Sequence, residues 1–81
     1  MEYNLSVILA KDLDDFKRRF AKLSSRESEI CEMIKSGMSS KEISNTLNLS
    51  VLTIHKHREQ IRKKLEITNK NVDLATYLRL Y

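Results

Sequence analysis

The chain contains no proline and only one glycine, Gly37, in 81 residues. With so little to break a helix, its punctuation must come from caps, and three serines supply them. Ser24-Ser25-Arg26-Glu27 has the spacing of a capping box. There the serine hydroxyl accepts from the backbone N–H three residues on, and the glutamate accepts in return from the serine N–H. Ser39-Ser40-Lys41-Glu42 repeats the pattern, and Ser50 offers a third cap with Thr53 in place of the reciprocal acid. Helix starts this close together require short helices and tight connections. The expected fold class is all-α.

The first capped helix is expected from about Ser25 to Ser36, with Ile30, Met33 and Ile34 as an apolar stripe and Cys31 beside it. Gly37 then stands where a left-handed helix end belongs. The second is expected from Ser40 to Leu47, with Ile43 and Leu47 inward. Asn48 tolerates positive φ at the turn, and Leu49 can plug the core. The third is expected from Val51 to about Glu66. A last helix over 72–80 carries Val72, Ala75 and Leu78 on one side and Leu74, Tyr77 and Tyr81 on another. Before the first cap, the segment 6–21 reads as an amphipathic lead-in with Leu9, Leu13, Phe16 and Phe20 recurring. This divides the chain into a helical lead-in, residues 1–22, and one small domain, 23–81. A core in so short a chain buries little surface.

Charge is unevenly placed. Lysine and arginine number 15 against 11 acids, and the pI is near 9.4. The first 15 residues hold Glu2, Asp12, Asp14 and Asp15 against Lys11, whereas 53–70 hold Lys56, Arg58, Arg62, Lys63, Lys64 and Lys70 against Glu59 and Glu66. A basic end of this kind suits a polyanionic partner. No apolar run could span a bilayer and no secretory signal is visible, while a single cysteine, Cys31, fits a reducing cytoplasm. There is no glycine-rich phosphate loop, no nucleophile–base order and no facing carboxylate pair, so no enzyme is expected. His55 and His57, two apart on a helix, point away from each other and lack further ligands, so neither metal nor cofactor is expected.

The segment TIHKHREQIRKKL, residues 53–65, carries the sharpest signal. At about 100° per residue, Ile61 and Leu65 fall within about 20° of Ile54, which defines a buried line. His57 and Arg58 flank it. Lys56, Glu59 and Lys63 lie opposite, with His55, Arg62 and Glu66 at the edge of that face and Leu52 facing out near its start. Short helix, turn, and a helix charged on its outer side make a helix–turn–helix, whose second helix puts N-terminal residues against base edges in the major groove. Lys56 can donate to guanine, His55 can donate or accept, and Glu59 can accept from cytosine N4. The plainer role for Glu59 is a surface pair with Lys63, worth about 0.2–0.5 kcal/mol.

These residues resemble a known family. Leu23-Ser24-x-Arg26-Glu27, Gly37 followed by Ser39-x-Lys41-Glu42-Ile43, Leu47-x-Leu49-Ser50, Thr53-Ile54-x-x-His57 and Lys64-Leu65 are similar to the LuxR-type (GerE-type) helix–turn–helix domain of bacterial transcription regulators. The match runs over 23–67 at constant spacing and more loosely through the last helix. It departs at Glu66, where the family has glycine, at Ser25, where it has proline, and in the loop 67–71, which is one residue longer. The resemblance implies four helices, here with an additional N-terminal linker helix, and sequence-specific double-stranded DNA binding through the third. Base-reading positions carried over are His55, Lys56 and Glu59. Phosphate contacts are implied at Ser39, Lys41, Ser50 and Thr53 and at the basic end, Arg62, Lys63 and Lys64. Glu27 is implied to tie helices together.

The last helix is implied to contribute to a homodimer, at least on DNA, through Val72, Ala75, Tyr77, Leu78 and Tyr81. In this family the domain is usually the C-terminal output of a longer chain with a sensor or receiver in front. A natural single-domain regulator is the other reading, but an amphipathic lead-in with exposed leucine and phenylalanine favours the longer parent. From a different functional class, a helical protein-interaction module that keeps the fold without reading DNA would account for Leu52 and Glu59 on the outer face.

Overall fold

The computed structural model describes residues 5–81, with side chains described from residue 12 on. It consists of five helices in sequence: α1 (Leu5–Phe20), α2 (Ser25–Lys35), α3 (Ser40–Leu47), α4 (Val51–Lys64) and α5 (Leu74–Arg79). Leu9 lies outside the residues with described side chains.

Both capping boxes form. The Glu27 N–H donates to Ser24 Oγ at 3.1 Å and the Ser24 N–H to Glu27 Oε1 at 2.8 Å. The Ser39–Glu42 pair closes the same way, at 3.1 Å in both directions. Ser50 caps α4 from one side only, accepting from the Thr53 N–H at 3.0 Å. Each reciprocal cap satisfies two backbone donors that the first helical turn leaves free, which lets helices of 8 and 11 residues start sharply.

Helix ends are as sharply set. At Gly37 (φ +98°) the chain turns left-handed, with Gly37 and Met38 N–H groups donating back to the Ile34 and Met33 carbonyls at 3.0 and 3.1 Å. A Cβ there would meet only Arg79 Nη2, at 3.7 Å, so the backbone angle, not space, requires glycine. Asn48 (φ 60°) ends α3 in the same conformation. Glu66 (φ 60°) ends α4, with Glu66 and Ile67 N–H groups donating to Lys63 and Arg62 carbonyls at 3.1 and 3.0 Å. α4 therefore stops at Lys64, two residues short of the sequence expectation. The family turn forms at Glu66 without the family's glycine, because two backbone hydrogen bonds and the full burial of Ile67 hold it. α5 is also shorter than expected. Asp73 caps it, accepting from the Thr76 N–H at 3.2 Å, so Val72 belongs to the loop.

The core is built from Ile30 and Ile34 of α2, Ile43 of α3, Ile54 and Ile61 of α4, Leu65 and Ile67 after it, and Leu74 and Leu78 of α5. Cys31 is buried with them, and burial pushes its thiol pKa up to about 12. The line Ile54, Ile61, Leu65 is fully covered, so α4 is held by one edge and offers its opposite face to solvent. α2 packs on α4 and α5, and α3 packs on α4.

α1 meets this domain through its C-terminal half, where Phe16 and Phe20 pack against the core. The Phe16 ring stacks on Tyr81, centroids 4.4 Å apart and planes 6° from parallel, and stands 5.9 Å from Tyr77. Arg19 Nε donates to Glu66 Oε2 at 3.0 Å. These contacts cover part of the expected dimer surface. Tyr77 and Leu78 are buried within the chain, and Tyr81 is half covered by α1. Of the five expected dimer residues, Val72 and Ala75 keep partial exposure without an aromatic partner from α1.

Candidate nucleic-acid interface

α3 and α4 form the helix–turn–helix, joined by Asn48, Leu49 and Ser50. Burial of Ile43 and Ile54 beneath the turn locks the two helices together. On the far side of α4, His55, Lys56, Glu59 and Lys63 are all exposed, and Leu52 is 64% exposed at its start. Helical spacing puts Leu52, Lys56, Glu59 and Lys63 on one stripe, with His55 at its edge. His57 and Arg58 are half-buried on the flanks.

The entrance to α4 differs chemically from those of α2 and α3. α2 and α3 each carry a glutamate in the first turn; α4 has no acid there. Its partial positive end is left uncompensated, which favours an anion at that end. Ser50 Oγ and Thr53 Oγ1 share a hydrogen bond of 2.8 Å. Two hydroxyl protons serve one such bond, so one remains to donate outward. Ser39 and Lys41 are exposed at the start of α3. The Ser39 hydroxyl and N–H hold the Glu42 carboxyl below its ordinary range.

Residues 21–78 match the family model described as "Bacterial regulatory proteins, luxR family". The chain belongs to this family. Among curated relatives, it is 43% identical over 58 residues to the uncharacterized response regulatory protein YgeK of Escherichia coli K12, covering 72% of this chain and 40% of that protein. It is 40% identical over 60 residues to the putative HTH-type transcriptional regulator YhjB of the same organism, covering 74% and 28%. It is 42% identical over 53 residues to the transcriptional regulatory protein UhpA, covering 65% and 26%. The match thus spans two fifths or less of these relatives' length. No solved structure matches the chain.

Two basic residues of this LuxR-family domain, expected at phosphates, are engaged inside the protein. The Arg62 guanidinium donates to the carbonyls of Val72 (2.9 Å), Ile67 (3.2 Å) and Lys70 (3.3 Å), fastening the loop between α4 and α5. Lys64 Nζ lies 2.6 Å from Glu27 Oε1, whose side chain is 6% exposed. Glu27 thus caps α2 and anchors the end of α4 with one carboxylate. Burial acts to raise its pKa, but the hydrogen bonds from Lys64 and Ser24 outweigh that and hold it below the ordinary value of 4.5. Lys63, by contrast, makes only an exposed 3.7 Å pair with Glu59, a contact easily exchanged for another partner.

The clasp between Glu27 and Lys64 and the Arg62 staple are contacts that local sequence patterns miss. Their partners lie up to 37 residues away or are backbone carbonyls, which carry no side-chain signal. Among the described residues no three His, Cys, Asp or Glu side chains group as metal ligands would, and no helix is long and apolar enough to cross a membrane.

Proposed function

We propose that this chain is a sequence-specific, double-stranded DNA-binding domain of a bacterial transcription regulator, with α4 in the major groove. The observation that carries the reading is the outer stripe of α4: exposed His55, Lys56, Glu59 and Lys63 on a helix pinned along its opposite edge. His55, Lys56 and Glu59 read base edges. Ser39, Lys41, Ser50, Thr53 and Lys63 meet phosphates and fix register. Arg62 and Lys64 drop out of the phosphate set because their charged heads are engaged within the fold.

Two copies bind an inverted repeat as a homodimer, and the domain acts in the cytoplasm as the output of a longer chain. The response regulatory relatives, of which this chain matches only a part, support a receiver or sensor in that parent.

Selection of bound duplexes from a random pool, followed by fluorescence anisotropy over a salt series, tests the reading. Affinity should fall log-linearly with salt, with a slope of about −0.9 per phosphate neutralised. Lys63→Ala should weaken all sequences alike and reduce that slope by about 1, whereas Lys56→Ala and Glu59→Ala should change the preferred sequence. Absence of duplex binding even at low salt would instead leave a protein-interaction module, the reading that exposed Leu52 and Glu59 otherwise favour.

A further inference from the structure

The three serine-capped helices invite a position-by-position comparison. In each, the cap is a serine whose hydroxyl accepts from the third residue of the helix. The second residue is Arg26 in α2 and Lys41 in α3, both charged and exposed, as suits a solvent-facing first turn. In α4 the same position is Leu52, 64% exposed, and its neighbour Val51 is 38% exposed. Two of the four exposed large apolar side chains among the described residues therefore open one helix; the others, Leu13 and Leu80, lie near the two ends of the chain. The third residue also changes, from glutamate in α2 and α3 to Thr53. The cap geometry is kept while the charged side chains it normally presents are removed.

Leu52 stands four residues before Lys56 and seven before Glu59, on the stripe that faces outward. The fold leaves most of it uncovered. On the reading above, that stripe enters the major groove, where hydrogen-bonding edges would gain nothing from a leucine and would lose water to it. The groove presents one apolar group to an incoming side chain, the C5-methyl of thymine.

We propose that Leu52 is a specificity residue that packs against the C5-methyl group of a pyrimidine, which in unmodified DNA is thymine. The inference rests on the DNA-binding reading and adds a base preference to it: each half-site contains a thymine, beside the bases met by Lys56 and Glu59, whose methyl group is recognised. Leu52 belongs neither to the core nor to the residues packed against it, so its replacement should leave the fold intact, which far-UV circular dichroism checks in the same samples.

The test uses the 81-residue chain and the half-site recovered from the random pool. Each thymine is replaced in turn by deoxyuridine, which removes the methyl group and changes nothing else at the base edge. One thymine per half-site should respond with a loss of about four-fold in affinity, the worth of one buried methyl (~0.8 kcal/mol). Leu52→Ala should bind the thymine and deoxyuridine duplexes equally at that position. Replacing that pair by C·G and then by 5-methylcytosine·G should restore part of the loss for the unaltered chain only, which separates recognition of the methyl from recognition of the thymine carbonyl.

A half-site without thymine, no response to deoxyuridine, or an equal response in Leu52→Ala would overturn the proposal while leaving DNA binding intact. Failure to recover any duplex would overturn both.

Discussion

Replacing Lys64 by alanine separates a structural lysine from a DNA-facing one within a single dipeptide. Lys64 Nζ is 2.6 Å from a carboxylate 6% exposed, while Lys63 Nζ is 3.7 Å from one 67% exposed. Removing one partner of a buried pair costs about 3–5 kcal/mol, because the other charge is left without compensation. Lys64 itself is 37% exposed, so water screens the pair in part. The expected loss is then about 1.5–3 kcal/mol. For a domain of this size that lowers Tm by roughly 6–24 °C. Lys63→Ala should cost less than about 0.5 kcal/mol.

Urea unfolding followed by far-UV circular dichroism reads both variants, with an unchanged slope and a shifted midpoint for Lys64→Ala. Glu27→Gln keeps an acceptor for the α2 cap, so adding it to Lys64→Ala should recover part of the loss. The pH dependence has a fixed sign. Glu27 has a lowered pKa in the fold, so its stabilisation is complete above its ordinary value of 4.5 and disappears as pH falls through the lower folded value. The cost of Lys64→Ala should shrink over that acid window. In DNA titrations Lys64→Ala should leave the salt slope unchanged, where Lys63→Ala reduces it. Equal stability of the two lysine variants at neutral pH would refute the clasp.

Two further outcomes are expected. Cys31, buried with its thiol pKa at about 12, should resist a water-soluble thiol reagent at pH 8 in the native state and react promptly in denaturant; native labelling at the denatured rate would contradict its burial. Glu66→Gly should raise stability by about 0.5–1 kcal/mol, since a left-handed backbone angle disfavours any Cβ and the Arg19 pair it loses is exposed; a lower urea midpoint would show that the pair outweighs the strain.

The starts of α2 and α3 were legible in the sequence because a serine cap and its glutamate lie three residues apart. So was the buried edge of α4, since Ile54, Ile61 and Leu65 are related by helical period alone. The end of α4 was not. Sequence rules expect glycine in a left-handed turn, and Glu66 adopts it because Ile67 is drawn into the core behind it. α5 was drawn too long, although Asp73 three residues before Thr76 was a readable cap. Tyr77 and Leu78 show a further limit. Periodicity identifies an apolar residue that needs cover, and cannot say whether its own chain or a second copy supplies it. Arg62 and Lys64 show a related limit, because the three-dimensional fold decides which members of a basic run are engaged within it. For His55, Lys56 and Glu59 the structure adds exposure to the spacing, and their base contacts await the DNA experiments above.

The stack of Phe16 on Tyr81 bears on the order in which the chain assembles. It joins a residue of the lead-in helix to the last residue of the chain, whereas α3 packs on α4, its close neighbour in sequence. A 16-residue helix such as α1 is marginal in water by itself. Its aromatic side has nothing to rest on until α2 and α5 have met. Docking of α1 is therefore expected to be a late event, after the rate-limiting step. Truncation of Phe16 should then act almost wholly on unfolding, hastening it while the folding rate stays the same. That outcome would make the lead-in helix a kinetic latch on a domain that has already formed.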